Sequence, residues 1–422
     1  MMKKQWMAGL AAAAVMLGSM AMGGYAFAEE AVTDDTVAAE EAAADDTAVT
    51  DDAAEDTTES TEEEWVRSYL TGKLVPSTIG RTIPIAIMIN NIENALPQSG
   101  ISNAAIVYEA PVEGGITRLL AIMEDYQDVE RIGSVRSCRE YFVYFAREFE
   151  AIYMHYGHAV FATPVLNLED TVRLSGMADY DLNYEGEGDV VYYRSDDFES
   201  PHNVFTNYEL IQAGIEYKGI STDYSDEYIE NNGHYQFAGD DEVITLDNGV
   251  DALTVEPGYV YNYPEFVYDE ETGLYTRYQL GALQTDYLTG KGLTYDNILI
   301  QYCSYEDLGE GYMDIDVYSG GEGVYITRGK AIPITWAKDD PDLENELGDG
   351  NFGVTHYYDT DGEEITLNQG KTWVCIVLDS SMDDVMIGEI TGEELAAMAV
   401  STESADTGTV SEETVSEETT AE

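Results

Sequence analysis

Hydrophobic positions in the first half of the chain fall into short, nearly continuous runs. Residues 84–89, 104–108 and 116–123 are such runs, each bounded by Asn, Gly or Pro, and they predict buried strands. Ser137-Cys138-Arg139-Glu140 has the capping-box pattern, and Tyr141, Phe142, Phe145 and Phe149 follow on one helical face. This predicts a helix over 138–149 with Ser137 as N-cap. Residues 151–156 read as a further strand. Thr206-Asn207-Tyr208-Glu209 opens a second capped helix that runs toward Ala213, with Gly214 as its stop.

After a polar passage from about 221 to 250, the pattern changes to short Tyr-, Val- and Thr-rich runs separated by turn signals such as Glu271-Thr272-Gly273 and Gly320-Gly321. The stretch from Tyr357 to Ile365 resembles part of a calcium loop. Its Asp361-Gly362 between β-rich runs is also a hairpin signal, and the later Glu ligand of a calcium loop is out of register. The fold class expected is therefore α+β, with a mixed α/β N-terminal domain over 65–240 and a mainly β C-terminal domain over 241–392.

The ends of the chain differ from its middle. Lys3 and Lys4 precede an apolar run from Met7 to Gly24, and Ala26-Phe27-Ala28 supplies a small-x-small cleavage pattern, so 1–28 reads as a secretory signal peptide. Residues 29–64 hold 16 acidic side chains and no Lys or Arg, which predicts a solvated linker. Residues 393–422 repeat that composition and read as an acidic tail. No later run is long enough to span a membrane. The three cysteines, Cys138, Cys303 and Cys375, lie far from the cleavage pattern, so the chain is not expected to be a lipoprotein; Cys303 with Cys375 is the favoured disulfide. The localisation expected is secreted or cell-wall space.

Nineteen Lys plus Arg against 83 Asp plus Glu give a net charge of −64. Such a chain repels nucleic acid and anionic lipid surfaces, which argues against polyanion binding as its main role. Against this background five arginines gather in residues 116–147: Arg118, Arg131, Arg136, Arg139 and Arg147. Arg136 and Arg139 flank the expected helix start, where the macrodipole disfavours cations. An anion is called for, either an internal acid such as Glu109 or Glu113 or a bound carboxylate or phosphate.

His155 and His158 end the strand at 151–156, and His202-Asn203 follows Pro201 in a turn. Each histidine reads as a hydrogen-bonded structural group or as an acid-base group beside Glu113. The candidate ligand-binding residues are Glu109, Glu113, Arg118, Arg136, Arg139, His155, Arg194, His202 and Asn203, and Glu113 and His202 are the candidate catalytic groups. Cys138 beside Arg139 could be an activated thiol or a buried one. No zinc spacing, Walker A, GxSxG or dinucleotide fingerprint occurs, so neither metal nor cofactor is expected.

Six stretches, IAIMINN (85–91), IVYEAPVEGGITRLLAI (106–122), IGSVRSCREYF (132–142), SPHNVF (200–205), GKAIPITW (329–336) and DGEEITLNQGKTWV (361–374), resemble the YerB-like, DUF3048 family of Gram-positive cell-envelope proteins. The resemblance covers about 300 residues and implies a layered α/β sandwich followed by a β-rich segment. It carries no assigned activity and hence no catalytic residue. Many members are lipoproteins, whereas this chain lacks the cysteine that such anchoring uses. Together these readings point to an envelope binding or scaffold protein whose partner is a cell-wall polymer or another envelope protein. The alternative is a hydrolase or transferase acting on an anionic wall polymer.

Overall fold

A computed structural model of the protein describes residues 64–167, 171–177, 186–339 and 353–398. The expected signal peptide, the linker up to 63 and the tail from 399 lie outside them. The strands are β1 (Ile85–Asn90), β2 (Ile106–Pro111), β3 (Thr117–Met123), β4 (Ile152–His155), β5 (Arg173–Ser175), β6 (Val250–Asp251), β7 (Asn297–Cys303), β8 (Gly321–Thr327), β9 (Lys330–Lys338), β10 (Thr355–Tyr358) and β11 (Thr372–Leu378). They form one sheet in the order β6-β9-β8-β7-β11-β2-β3-β1-β4-β5, with β10 also on β9.

The near-continuous apolar runs follow from burial on both faces of this sheet. In β1, Ile85, Ile87 and Ile89 enter one core cluster, while Ala86 and Met88 enter the other. On the second face lies α1 (Glu140–Arg147), whose Phe145 stacks on Tyr108 with centroids 4.3 Å apart. The first face is covered by α2 (Tyr208–Lys218) and by a seven-stranded sheet that includes Thr254–Glu256, Glu265–Asp269 and Leu274–Gln279. Phe266 and Tyr295 pack edge-on against Trp373 of β11, 5.7 and 5.0 Å between centroids. The class is α+β as expected, and the second family-like stretch is mainly strand. The two stretches share a sheet: β11 pairs in parallel with β7 on one side and β2 on the other, Cys375 facing Ile300 and Glu109.

That register also corrects the expected disulfide. Cys303 lies opposite Leu378, three residues beyond Cys375, so the two thiols point to opposite faces. Cys375 belongs to one core and Cys303 to the other, and all three cysteines are free and buried.

The start of the first helix and the end of the second also move. Ser137 is not an N-cap: its hydroxyl donates to Tyr156 O, and Cys138 N donates to Gly157 O at 2.9 Å, which holds 137–138 extended. α1 begins after Arg139, whose φ of −125° and ψ of 154° are those of a strand. α2 is capped by the side chain of Asn207, which accepts from Leu210 N, and it ends at Gly219 in the left-handed region. Gly214 lies inside the helix. A Cβ there would come within 2.5 Å of Val191 Cγ2, so this glycine permits close packing.

The Asp361-Gly362 segment forms a hairpin turn, with Asp359 N donating to Glu363 O and Ile365 N to Tyr357 O. The chain remains folded beyond the expected limit of 392: Leu395 is buried in the core within a helical turn over 392–398. Among the described residues no helix is long and apolar enough to cross a membrane.

Candidate functional site

β1 and β3 are antiparallel, as are β3 and β2, while β1, β4 and β5 run in parallel. The carboxyl ends of β1, β2, β4 and β5 therefore meet at one edge of the sheet, the edge where open α/β sheets place ligands. Here the 134–139 segment crosses the strand ends. Asn90 N donates to Ser134 O, Arg136 N to Met88 O, Val135 N to Val204 O and Tyr156 N to Arg136 O, all within 3.0 Å. These bonds fix the backbone from which Arg136 and Arg139 project. Arg118, at the start of β3, faces Asn90 in register.

The three guanidinium groups share very little negative charge. Arg139 donates through Nε and Nη2 to the two oxygens of Glu113, a bidentate pair, and through Nη1 to Cys138 O at 2.6 Å. Arg118 Nη1 donates to Ser137 O at 2.6 Å, and Arg136 Nη1 donates to Pro201 O at 3.1 Å. Neither Arg118 nor Arg136 forms an ion pair with any described residue, and Arg136 Nε is buried without a partner. Burial, then the positive charges of Arg139 and Arg136, push the Arg118 pKa down to about 9. Burial and Arg139 also lower Arg136. Burial alone would raise the Glu113 carboxyl, but the Arg139 guanidinium outweighs it and holds the group below its ordinary value.

His202 closes one side. Asn90 Nδ2 donates to its Nδ1 at 2.9 Å, and burial followed by the Arg136 charge lowers its pKa; both favour the neutral ring with the proton on Nε2. Asn203 Oδ1 accepts from Arg194 Nη1 at 2.7 Å, and the Arg194 guanidinium lies 5.4 Å over the Tyr156 ring. On the other side Tyr312 places its ring 5.6 Å from the Arg139 guanidinium.

Six of the candidates, Glu113, Arg118, Arg136, Arg139, His202 and Asn203, thus gather at one site, with Arg118 and Arg139 buried in it and Arg194 at its rim. Glu109 is corrected out of it. Its carboxylate is fully buried and accepts from Asn91 Nδ2, Thr117 Oγ1, Arg277 Nη2 and Trp373 Nε1 at 2.7–3.2 Å. His155 is likewise interior: its Nδ1 is bonded to Gly157 O at 2.9 Å, and burial pushes its pKa down to about 3. Cys138 is not an activated thiol, because burial pushes its pKa up to about 12.

Asn90 and Tyr312 are site residues that pattern reasoning misses. The polar Asn90-Asn91 pair closing an apolar strand is the signal for the first, and nothing local marks the second. An open cleft of about 1240 Å³, lined among others by Glu148, Tyr228, His234, His356 and Glu364, lies elsewhere and touches none of the candidates.

Two family models match the chain: the N-terminal domain of the proteins of unknown function called DUF3048, over residues 70–221, and the corresponding C-terminal domain, over 254–374. The chain is 32% identical over 326 residues to a Bacillus subtilis (strain 168) protein named "Putative lipoprotein YerB", a match covering 77% of this chain and 90% of that one. It is also similar to the crystal structure of the YerB protein from Bacillus subtilis, with a TM-score of 0.63, 30% identity, and coverage of 77% of this chain and all of the other. The relative's name corrects the expectation that this chain is not a lipoprotein. That expectation rested only on where three cysteines stand in the sequence, and a relative of this similarity carries the opposite designation.

Proposed function

We propose that this chain, which belongs to the DUF3048 family, is an exported cell-envelope binding or scaffold protein. It holds a phosphate- or carboxylate-bearing partner, a wall polymer or another envelope protein, at the Arg118, Arg136 and Arg139 surface. One observation carries the reading: three converging guanidinium groups answered, among the described residues, by the single carboxylate of Glu113, in a protein of net charge −64. A local excess of positive charge is costly to assemble and is relieved by an anion.

The site's position supports binding as well, since it stands at the carboxyl ends of four strands on a rigid support. Export is supported by the basic, apolar and small-x-small order of the first 28 residues. Before any ligand binds, Glu113 has both oxygens on Arg139 and His202 has Nδ1 on Asn90, an arrangement that favours binding over catalysis. Calorimetric titration with inorganic phosphate tests the reading. Wild type should bind, binding should weaken as salt rises through about 0.1 M, where the screening length is about 10 Å, and Arg136→Ala should lose it. Equal phosphate affinity in wild type and Arg136→Ala would reject the site.

A further inference from the structure

The arginine surface already holds an anion of the protein's own. Glu113 reaches Arg139 from a turn built to move: Gly114 and Gly115 follow it with φ of 76° and 73°, and a Cβ added at Gly114 would meet nothing within 4 Å. The turn is closed at its base, where Val112 N donates to Ile116 O at 2.9 Å. The Glu113 side chain is 25% exposed, whereas Arg139 is 11% exposed and held at its far nitrogen by Cys138 O. The arginine is thus the more enclosed partner and the glutamate the more exposed one.

We infer that Glu113 is a resident occupant of the arginine site, displaced when a ligand brings a single phosphate or carboxylate group to Arg139, Arg136 and Arg118. The inference rests on the proposed function above and adds how the site is kept closed. The two carboxylate oxygens of Glu113 occupy the guanidinium fork that a phosphate or carboxylate would take, so the ion pair competes with ligand for the same donors. Release of Glu113 leaves three clustered cations, none of which pairs with another carboxylate among the described residues. Swinging outward then requires rotation in a two-glycine turn that is open at Gly114, while a Cβ at Gly115 would meet Val260 Cγ2 at 3.5 Å.

The charge of the molecule also restricts what arrives. A field of net −64 repels a chain of closely spaced anions but penalises one anionic group on an uncharged body far less. The ligand class inferred is therefore singly or sparsely anionic.

The test is titration of the full chain and its variants with inorganic phosphate, together with hydrogen exchange of residues 112–116. Removing the competing charge in Glu113→Gln should tighten phosphate binding by at least about tenfold, the worth of one charge-assisted pair. Phosphate added to wild type should speed exchange at Gly114 and Gly115 as the turn is released, a readout independent of how well the variant folds. Equal or weaker phosphate binding by Glu113→Gln alongside loss in Arg136→Ala, or slower exchange at the turn, would overturn the inference and leave the proposed function standing. No phosphate binding by either wild type or Glu113→Gln would remove both. Long-chain polyphosphate should bind no more tightly per site than inorganic phosphate at low salt; tighter binding would refute a preference for sparsely anionic ligands.

Discussion

Glu109 and Arg277, 168 residues apart in sequence, meet at 2.7 Å with neither side chain exposed to solvent. They tie β2 to the seven-stranded sheet that covers it. Removing one member of a fully buried pair leaves the other charged and unanswered, at a cost of about 3–5 kcal/mol. Arg277→Ala should therefore lower the urea midpoint strongly. Glu109→Gln should cost less than Glu109→Ala, because an amide oxygen still accepts from Asn91, Thr117 or Trp373.

Arg136 and Arg139 should separate in stability measurements. Arg136 gives its guanidinium only one bond, to Pro201 O, so Arg136→Ala should leave thermal unfolding nearly unchanged. Arg139→Ala removes the partner of the half-buried Glu113 and should cost about 1–3 kcal/mol, between exposed and fully buried ion pairs. Parallel melting curves check this, and equal losses in both variants would contradict it.

A pH effect follows from Glu124. Burial pushes its carboxyl from an ordinary 4.5 up to about 7, against a lowering hydrogen bond from Ser68. The folded protein then holds this proton more tightly than the unfolded chain. The contribution to stability is complete below about pH 4.5 and is lost as pH rises through about 7, on the order of 3 kcal/mol between the two limits. Urea midpoints of wild type and Glu124→Gln at pH 5 and pH 8 should show a smaller pH dependence in the variant and a more stable variant at pH 8.

The cysteines give a chemical check. With Cys138, Cys303 and Cys375 buried and free, a thiol reagent should find no reactive group in native protein and three after denaturation, and reductant should leave the melting temperature unchanged.

How much of this could be read from sequence depended on range. β1, β2, β3 and β4 were legible because burial on both faces leaves uninterrupted apolar runs, and the scarcity of arginine marked Arg136 and Arg139 as needing an anion, with Glu113 one of the partners open to them. The cap at Ser137 misled because a capping box is a local signal, and here Tyr156 O and Gly157 O compete for the same segment from another strand. Glu109 was misplaced for a similar reason: Arg277 and Trp373, its buried partners, come from the far half of the chain. The disulfide failed on parity, since the faces of two parallel strands are fixed by a register that sequence does not print.

The placement of β11 between β7 and β2 has a consequence for how the molecule is made. A chain that emerges from its N-terminus completes β1, β2 and β3 early, yet the outer side of β2 has no neighbour until Thr372–Leu378 appears. Until then β2 is an open hydrogen-bonding edge of apolar residues, the kind that recruits other chains, and closing it demands a contact across most of the sequence, which slows folding. Cutting between the two family segments, in residues 222–253, would make that interval permanent. The first half expressed alone should form multimers through β2, and adding the second half in trans should dissolve them if it can still deliver β11.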